Sequence, residues 1–136
     1  MKIVGRVWVC AVLVTAPVEA AAADALAQAA ACRHSPKVVS ACFTVRGRLS
    51  VANGTPSFRI WLVGTRRVIG VVAADGDAEV AVLPPAVESR VVHGDEPRAM
   101  MGAYTLCPLS PRRPGRMQLA CMAGARDLST LPGTSP

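Results

Sequence analysis

The sequence is poor in aromatic residues, in histidine and in charge. Of its 136 residues, 4% are aromatic, 18% are charged and two are histidines. So low a charged fraction excludes a long disordered acidic or basic tail, and the length excludes a multi-domain enzyme. Repeated apolar runs of about 20 residues, which a bundle of membrane spans requires, do not occur. What is left is one small aliphatic domain with a net charge of +6.

Motifs that carry catalysis are missing as well. The chain contains no Gly-x-Ser-x-Gly elbow, no His-Glu-x-x-His motif and no phosphate-binding glycine loop. His93, Asp95 and Glu96 lie within one short stretch, where a general base with an orienting acid is one interpretation and a polar loop is the one we favour. Asp75 and Asp77 flank a glycine, as turn residues do. The sequence therefore predicts no catalytic residue and no cofactor.

Residues 1–23 are typical of a secretory signal peptide. Lys2 and Arg6 give the positive start, an apolar stretch follows, and a proline and small residues come next. Cleavage after Ala23 suits signal peptidase, and cleavage after Ala20 suits it nearly as well. A membrane anchor is the alternative, but the apolar stretch is shorter than the roughly 20 residues of a span. We therefore expect a periplasmic or secreted protein without a transmembrane span in its mature chain.

Export would change the cysteine count. The chain has five cysteines, and loss of Cys10 with the signal peptide leaves an even number. The remaining cysteines are Cys32, Cys42, Cys107 and Cys121. An even number in a small exported domain indicates disulfide bonds. No Cys-x-x-Cys pair occurs and neither histidine completes a zinc set, so we expect no metal site.

The spacing of the cysteines favours one disulfide pairing. Cys107 and Cys121 are symmetric about a predicted turn at 111–115. Such residues lie opposite one another in an antiparallel hairpin, with Cα atoms about 4.5–5.5 Å apart, a separation that suits a disulfide. We therefore favour Cys107–Cys121, which leaves Cys32–Cys42 as the second bond. The main alternative joins Cys42 to one of the last two cysteines.

Beyond the alanine-rich leader 24–41, which has room for a short helix, the pattern is that of β-strands. Apolar and polar residues alternate in short stretches separated by turn residues. The predicted strands are 43–51, 57–62, 68–73, 78–83, 87–93, 103–109 and 116–122. We expect a helical turn over 123–128, within a disulfide-stapled β-domain over 42–128, and a disordered tail over 129–136. Six or seven short strands predict an all-β meander forming a barrel or sandwich, and a five-stranded oligonucleotide-binding-type barrel is one candidate topology.

The first two strands also predict their own register. A four-residue loop at 53–56 places Val51 opposite Phe58 and Arg48 opposite Trp61. A shift of one residue would turn every apolar side chain to the wrong face. In this register Arg48 and Trp61 are placed for a cation–π contact.

Arginine supplies nearly all of the positive charge after the predicted cleavage, and several arginines share the polar face of the first hairpin or its far end. Arginine forks match planar oxyanions, so phosphate groups and acidic glycans are the expected ligands. The candidate ligand-binding residues are Arg46, Arg48, Arg59, Trp61, Arg66 and Arg67. A solvated face that blocks edge-to-edge pairing is the interpretation we favour for these arginines, and an anion-binding surface is the alternative. Nucleic acid is a poor candidate because single-strand binders interleave basic residues with several aromatic ones.

Two stretches resemble a known group of proteins. They are CFTVRGRLSVANGTPSFRIWLVGTRRVIGV (42–71) and VVHGDEPRAMMGAYTLCPLSPRRPGRMQLACMAGARDL (91–128). Their VRGRLS–NG–RIW–GT run and their C-P-L-x-P-x-R-P-G-x-M-x-x-x-C hairpin are similar to small secreted hypothetical proteins of Gram-negative bacteria. The resemblance implies that 42–128 is one folded unit. No activity is established for that group, so the resemblance implies no catalytic residue.

Taken together, these patterns favour a non-enzymatic β-domain that meets anionic components of the cell envelope through a basic face. A binder of one defined anionic ligand is the first alternative. A small secreted enzyme or enzyme inhibitor, acting through His93 or a loop, is the second.

Overall fold

The computed structural model describes residues 18–91 and 99–131. Residues 1–17 of the predicted signal peptide lie outside the described residues, as do 92–98 and 132–136. The elements are α1 (Val18–Arg33), β1 (Phe43–Val51), β2 (Phe58–Leu62), β3 (Val68–Val71), α2 (Pro85–Val91), β4 (Met100–Pro108) and β5 (Gln118–Thr130). None of the helices in this part of the chain is long and apolar enough to cross a membrane.

The strands close into a barrel in the order β1-β2-β3-β5-β4. β3 and β5 are parallel, and all the other neighbours are antiparallel. This order, with α2 between β3 and β4, is the arrangement of a barrel of the oligonucleotide-binding type. The predicted class, a small all-β domain with a short N-terminal helix, is confirmed, and the barrel has five strands where six or seven were expected.

The predicted register of the first hairpin is confirmed. Val51 lies opposite Phe58, and Arg48 lies opposite Trp61. Leu49 and Ile60 pair in the same register and are fully buried. Any shift by one residue would exchange these side chains for arginine and tryptophan, so burial fixes the pairing.

Two predicted strands are absent from the barrel. Residues 78–83 form an irregular segment in which Leu83 is buried and Val80 and Val82 are exposed. Of the strand predicted over 87–93, the described part, 87–91, belongs instead to helix α2, which buries Val87 and Val91. Those two positions are four residues apart and share one helical face. In stretches this short, apolar spacing does not distinguish a strand from a helix.

The last strand is longer than the sequence predicted. Residues 123–128 continue β5 instead of forming a helical turn, and β5 runs on through Thr130. β4 explains the difference, because it pairs with β5 as far as Met100 opposite Thr130. The first residues of the predicted disordered tail are therefore ordered: Ser129 and Thr130 belong to β5, and the backbone N–H of Leu131 donates to the carbonyl of Ala99 at 2.9 Å. Residues 132–136 lie outside the described residues.

Tyr104 is the largest fully buried side chain of the barrel. Its hydroxyl donates a hydrogen bond to the carbonyl of Met100 at 2.7 Å. Gly47 and Gly102 face each other across β1 and β4. A Cβ on Gly102 would lie 2.6 Å from Cδ2 of Leu128 and 3.3 Å from the Tyr104 ring, and a Cβ on Gly47 would overlap Cγ2 of Ile60. The missing side chains therefore make room for the side chains that pack around the ring. Burial raises the pKa of Tyr104 to about 12.

Two disulfide bonds join Cys32 to Cys121 and Cys42 to Cys107. Cys107 and Cys121 are opposite each other in β4 and β5, as the hairpin symmetry predicted, but they do not bond to each other. The favoured pairing, Cys107–Cys121 with Cys32–Cys42, is therefore wrong, and the alternative that joins Cys42 to one of the last two cysteines is confirmed. Two disulfides in so small a domain fit an oxidising compartment.

Long-range packing explains the disulfide pairing. The β1–β4 register, continued by one residue beyond Phe43, sets Cys42 opposite Cys107. Helix α1 packs against β5 and brings Cys32 to Cys121. Neither contact can be inferred from the geometry of the last hairpin alone.

Helix α1 has little apolar contact with the barrel. Cys32 is its one buried residue, and residues 18–24 are exposed along their whole length. The predicted cleavage positions, after Ala20 and after Ala23, both lie in this exposed part. Within the described residues, removal of everything before Asp24 would therefore take away no buried side chain.

Candidate anion-binding site

A groove of about 740 Å³ opens on the outer face of β2 and β3, between the β2–β3 loop and the β4–β5 loop. None of the described residues that line it is acidic. We call it the arginine groove, and its basic residues are Arg59, Arg66, Arg67, Arg112, Arg113 and Arg116. Val68, Met117 and Gln118 line it as well. Three arginines come from β2 and the loop after it, and three come from the β4–β5 loop.

Arg59 is held in place by the β1–β2 loop. Its Nε donates to the carbonyl of Pro56 at 3.1 Å, and one of its terminal nitrogens donates to the carbonyl of Asn53 at 3.3 Å. The loop turns tightly at Gly54, whose φ of 93° lies in the left-handed region that favours glycine. These bonds orient the guanidinium before any ligand arrives.

Arg67 is held by a chain of hydrogen bonds to the β4–β5 loop. One of its terminal nitrogens donates to Oε1 of Gln118 at 2.8 Å, and Nε2 of Gln118 donates to the carbonyl of Ser110 at 3.1 Å. Ser110 Oγ accepts the backbone N–H of Leu119 at 2.8 Å. Because its partner is a neutral amide, Arg67 is oriented while its charge is left uncompensated.

The β4–β5 loop carries its arginines on a tight turn. The backbone N–H of Arg116 donates to the carbonyl of Arg113 at 3.2 Å. Gly115, inside this turn, has a φ of 71°, a conformation that side chains rarely adopt. The sequence Arg113-Pro114-Gly115-Arg116 therefore closes the loop locally and keeps two guanidinium groups at its tip.

The electrostatics of the groove are those of unbalanced like charges. The pKa of Arg67 is lowered by burial and by the nearby positive charge of Arg112. Among the residues that the structure describes, the one ion pair joins Arg126 to Asp127, outside the groove. Crowded guanidinium groups without carboxylates are the arrangement that binds phosphate or carboxylate oxygens through paired N–H donors.

The structure brings part of the predicted site together. Arg59 lines the groove, as do Arg66 and Arg67. The other three predicted residues, Arg46, Arg48 and Trp61, do not line it. Trp61 lies next to it, since its partner in β3, Val68, belongs to the groove wall.

Sequence reasoning missed the arginines of the β4–β5 loop. Arg112 and Arg113 were placed in a predicted turn and Arg116 at the start of a predicted strand, and none of the three was given a role. The density of arginine in PRRPGR was a usable signal. Its position beside the β2–β3 loop depends on the parallel pairing of β3 with β5, which links segments about 50 residues apart and leaves no local trace.

The other sequence candidates offer less chemistry. His93, Asp95 and Glu96 lie outside the described residues. Asp75 Oδ1 accepts the backbone N–H of Asp77 at 2.9 Å, which is turn chemistry. The sulfur atoms of three cysteines, Cys32, Cys107 and Cys121, lie within 4.8 Å of one another, but each belongs to a disulfide and is no thiolate ligand.

Fold alone does not assign a function, because barrels of this type serve many. The resemblance of 42–71 and 91–128 to small secreted proteins stays a prediction. Comparison of the chain with protein-family models, with curated proteins and with solved structures gave no match.

Proposed function

We propose that this chain is an exported, non-enzymatic binding domain whose arginine groove takes an anionic ligand of the cell envelope, bearing phosphate groups or acidic sugars. The observation that carries the proposal is the convergence of six arginines in one groove, with no acidic residue among the lining residues that the structure describes. The positive charges of such a surface are not balanced by the residues around them, so the surface attracts anions.

Preorganisation supports a site rather than a diffuse charged face. Arg59 and Arg67 are both fixed by hydrogen bonds that leave their positive charge free. A guanidinium that is already oriented loses less side-chain entropy when an oxyanion binds. A face that serves only to keep the protein in solution needs no such bonds.

The lining also bears on the class of ligand. None of the residues that line the groove is aromatic. Proteins that bind single-stranded nucleic acid stack bases on aromatic side chains along a basic groove. A ligand whose recognition rests on its oxyanions, such as a phosphorylated or acidic glycan, fits this lining better.

Two features favour action outside the cytoplasm. Both disulfides join segments far apart in sequence, with sequence separations of 89 and 65, and such bonds persist in oxidising compartments. The exposed start of α1 leaves the predicted cleavage sites accessible. The mass of the purified chain, with and without reduction and alkylation, tests both features at once.

Charge-matched double variants test the groove. Arg112→Gln/Arg113→Gln removes two groove charges, and Arg33→Gln/Arg126→Gln removes two charges outside the groove. We expect the groove variant to bind inorganic tripolyphosphate at least about 10-fold more weakly by titration calorimetry, because each lost charged contact is worth about 1.5–3 kcal/mol.

The control variant distinguishes binding at a defined site from attraction by the net charge of the whole protein. Arg33→Gln/Arg126→Gln should change the dissociation constant by less than about two-fold, a shift of under 0.5 kcal/mol. Equal losses in the two variants would show that net charge alone binds the anion. That result would replace the groove by the broader proposal of a basic face that meets the envelope without a defined site.

A further inference from the structure

We infer that the site extends from the arginine groove across the outer face of the sheet, and that Trp61 is a platform on which a ring of an acidic saccharide chain stacks. This inference rests on the proposed function and narrows its ligand. It assigns a role to the most exposed aromatic side chain of the described residues.

The placement follows from the strand register. Arg48, Trp61 and Val68 lie opposite one another in succession across β1, β2 and β3, so their side chains share one face. Neighbouring strands are about 4.8 Å apart, and the row therefore spans about 10 Å. Val68 lines the groove, and Trp61 stands one strand away from Val68 and Arg48 two strands away.

Trp61 is held in one orientation. Its Nε1 donates to the carbonyl of Thr65 at 2.7 Å, while 41% of the residue is exposed. Val68, beside it, is exposed to 39%. A fixed indole with its polar atom satisfied presents an apolar surface at little further entropic cost. The carbon–hydrogen face of a sugar ring is a suitable partner for that surface.

Arg48 adds a cation at the far side of the ring. Its Nε is covered and has no hydrogen-bond partner in the described structure, and it lies directly opposite Trp61. From the groove outward, the face therefore presents the cluster of arginines, then the ring of Trp61, then the cation of Arg48. An acidic glycan repeats charge, ring and charge at a similar interval, whereas a short polyphosphate has no ring to place on Trp61.

Three probes test the inference on the full chain by titration calorimetry. A heparin-derived hexasaccharide supplies charges and rings, inorganic tripolyphosphate supplies charges alone, and maltohexaose supplies rings alone. We expect the wild-type chain to bind the first two and not the third.

Substitutions at Trp61 give the decisive comparison. Trp61→Ala should weaken the hexasaccharide about 10-fold, a loss in the range measured when an aromatic stacking residue is truncated. The same variant should leave tripolyphosphate within about two-fold. Trp61→Phe, which keeps a ring, should lose about three-fold, and Arg48→Gln should weaken the hexasaccharide by a similar factor. These two milder variants serve if Trp61→Ala fails to fold.

Fluorescence supplies an independent signal. The chain has two tryptophans, so Trp8→Phe leaves Trp61 as the single indole. Saturating hexasaccharide should shift its emission and protect it from iodide, and saturating tripolyphosphate should do neither.

Each contrary outcome has its own meaning. If Trp61→Ala weakens neither ligand, the stacking platform is overturned and the groove stands. If the wild-type chain binds neither charged probe, the proposed function falls and the inference falls with it. If oligothymidylate binds more tightly than the hexasaccharide and loses more in Trp61→Ala, the ligand is nucleic acid and the inference is overturned.

Discussion

The barrel interior and the arginine groove are built on opposite principles. Inside the barrel, each group is matched by another part of the chain. The Tyr104 hydroxyl donates to the Met100 carbonyl, and Gly47 lies opposite Gly102 beside the ring. The groove gathers six like charges, and over residues 18–91 and 99–131 no carboxylate belongs to its lining. A region whose complement is missing from the chain indicates that the complement comes from outside. This contrast, rather than the fold, is what supports the proposed site.

The disulfide bonds and the arginine groove also have opposite effects on the free energy of unfolding. The disulfides constrain the unfolded chain, whereas crowded arginines raise the free energy of the folded one. The following predictions separate the two contributions.

The largest expected effect comes from the disulfide between Cys42 and Cys107. It closes a loop of 65 residues between β1 and β4, which the chain-entropy account equates to about 4 kcal/mol. Cys42→Ala/Cys107→Ala should lower the free energy of unfolding in guanidinium by about that amount.

The other disulfide sharpens the comparison. Cys32→Ala/Cys121→Ala should cost less, although its loop is longer, because α1 buries little besides Cys32 and detaches without opening the barrel. Equal or larger losses would show that α1 contributes to the core more than its burial indicates.

A smaller effect is expected from the buried hydroxyl. Tyr104→Phe should lower the free energy of unfolding by about 1 kcal/mol at neutral pH, the net worth of one buried hydrogen bond. Because burial raises the folded-state pKa to about 12 from the ordinary 10.0, folding favours the neutral phenol. That contribution is complete below pH 10 and is lost as pH rises through 12.

The same residue allows a direct check. Tyr104 is the chain's single tyrosine, so ultraviolet absorbance of tyrosinate reports its ionisation in the folded protein without interference. The wild-type chain should lose stability between pH 10 and 12 more steeply than Tyr104→Phe. Ionisation at the ordinary pKa in the folded state would contradict the buried position.

The smallest effect is expected in the groove, with the opposite sign. Arg112→Gln should stabilise the ligand-free chain at low salt by about 0.3–1 kcal/mol, because it relieves repulsion on Arg67. The gain should fade at high ionic strength. Arg126→Gln, which removes the partner of Asp127, should give no such gain in thermal unfolding. Destabilisation by Arg112→Gln at low salt would mean that the groove is internally balanced.

The sequence was sufficient where alternation and turn symmetry determine which residues of two adjacent strands lie opposite each other. The register of β1 and β2 followed from alternation and loop length, and the opposition of Cys107 and Cys121 followed from the hairpin. It was insufficient where distant segments meet. The disulfide partners depend on the β1–β4 pairing and on the packing of α1.

The residues of the candidate site also fall into a part that the sequence could predict and a part that depends on distant segments. Arg59, Arg66 and Arg67 are close in sequence and share a hairpin end, so they could be grouped in advance. The other half of the groove comes from the β4–β5 loop, which reaches them through the closure of the barrel by parallel β3 and β5. No local pattern encodes that approach.

The central claim is that one groove, and not the basic surface as a whole, receives the anion. Titration of the ¹⁵N-labelled chain with inorganic tripolyphosphate, followed through the arginine Nε–Hε resonances, tests it most directly. The account predicts that the largest shifts fall on Arg59, Arg66, Arg67, Arg112, Arg113 and Arg116. Shifts of equal size on Arg33, Arg90 and Arg126 would contradict it.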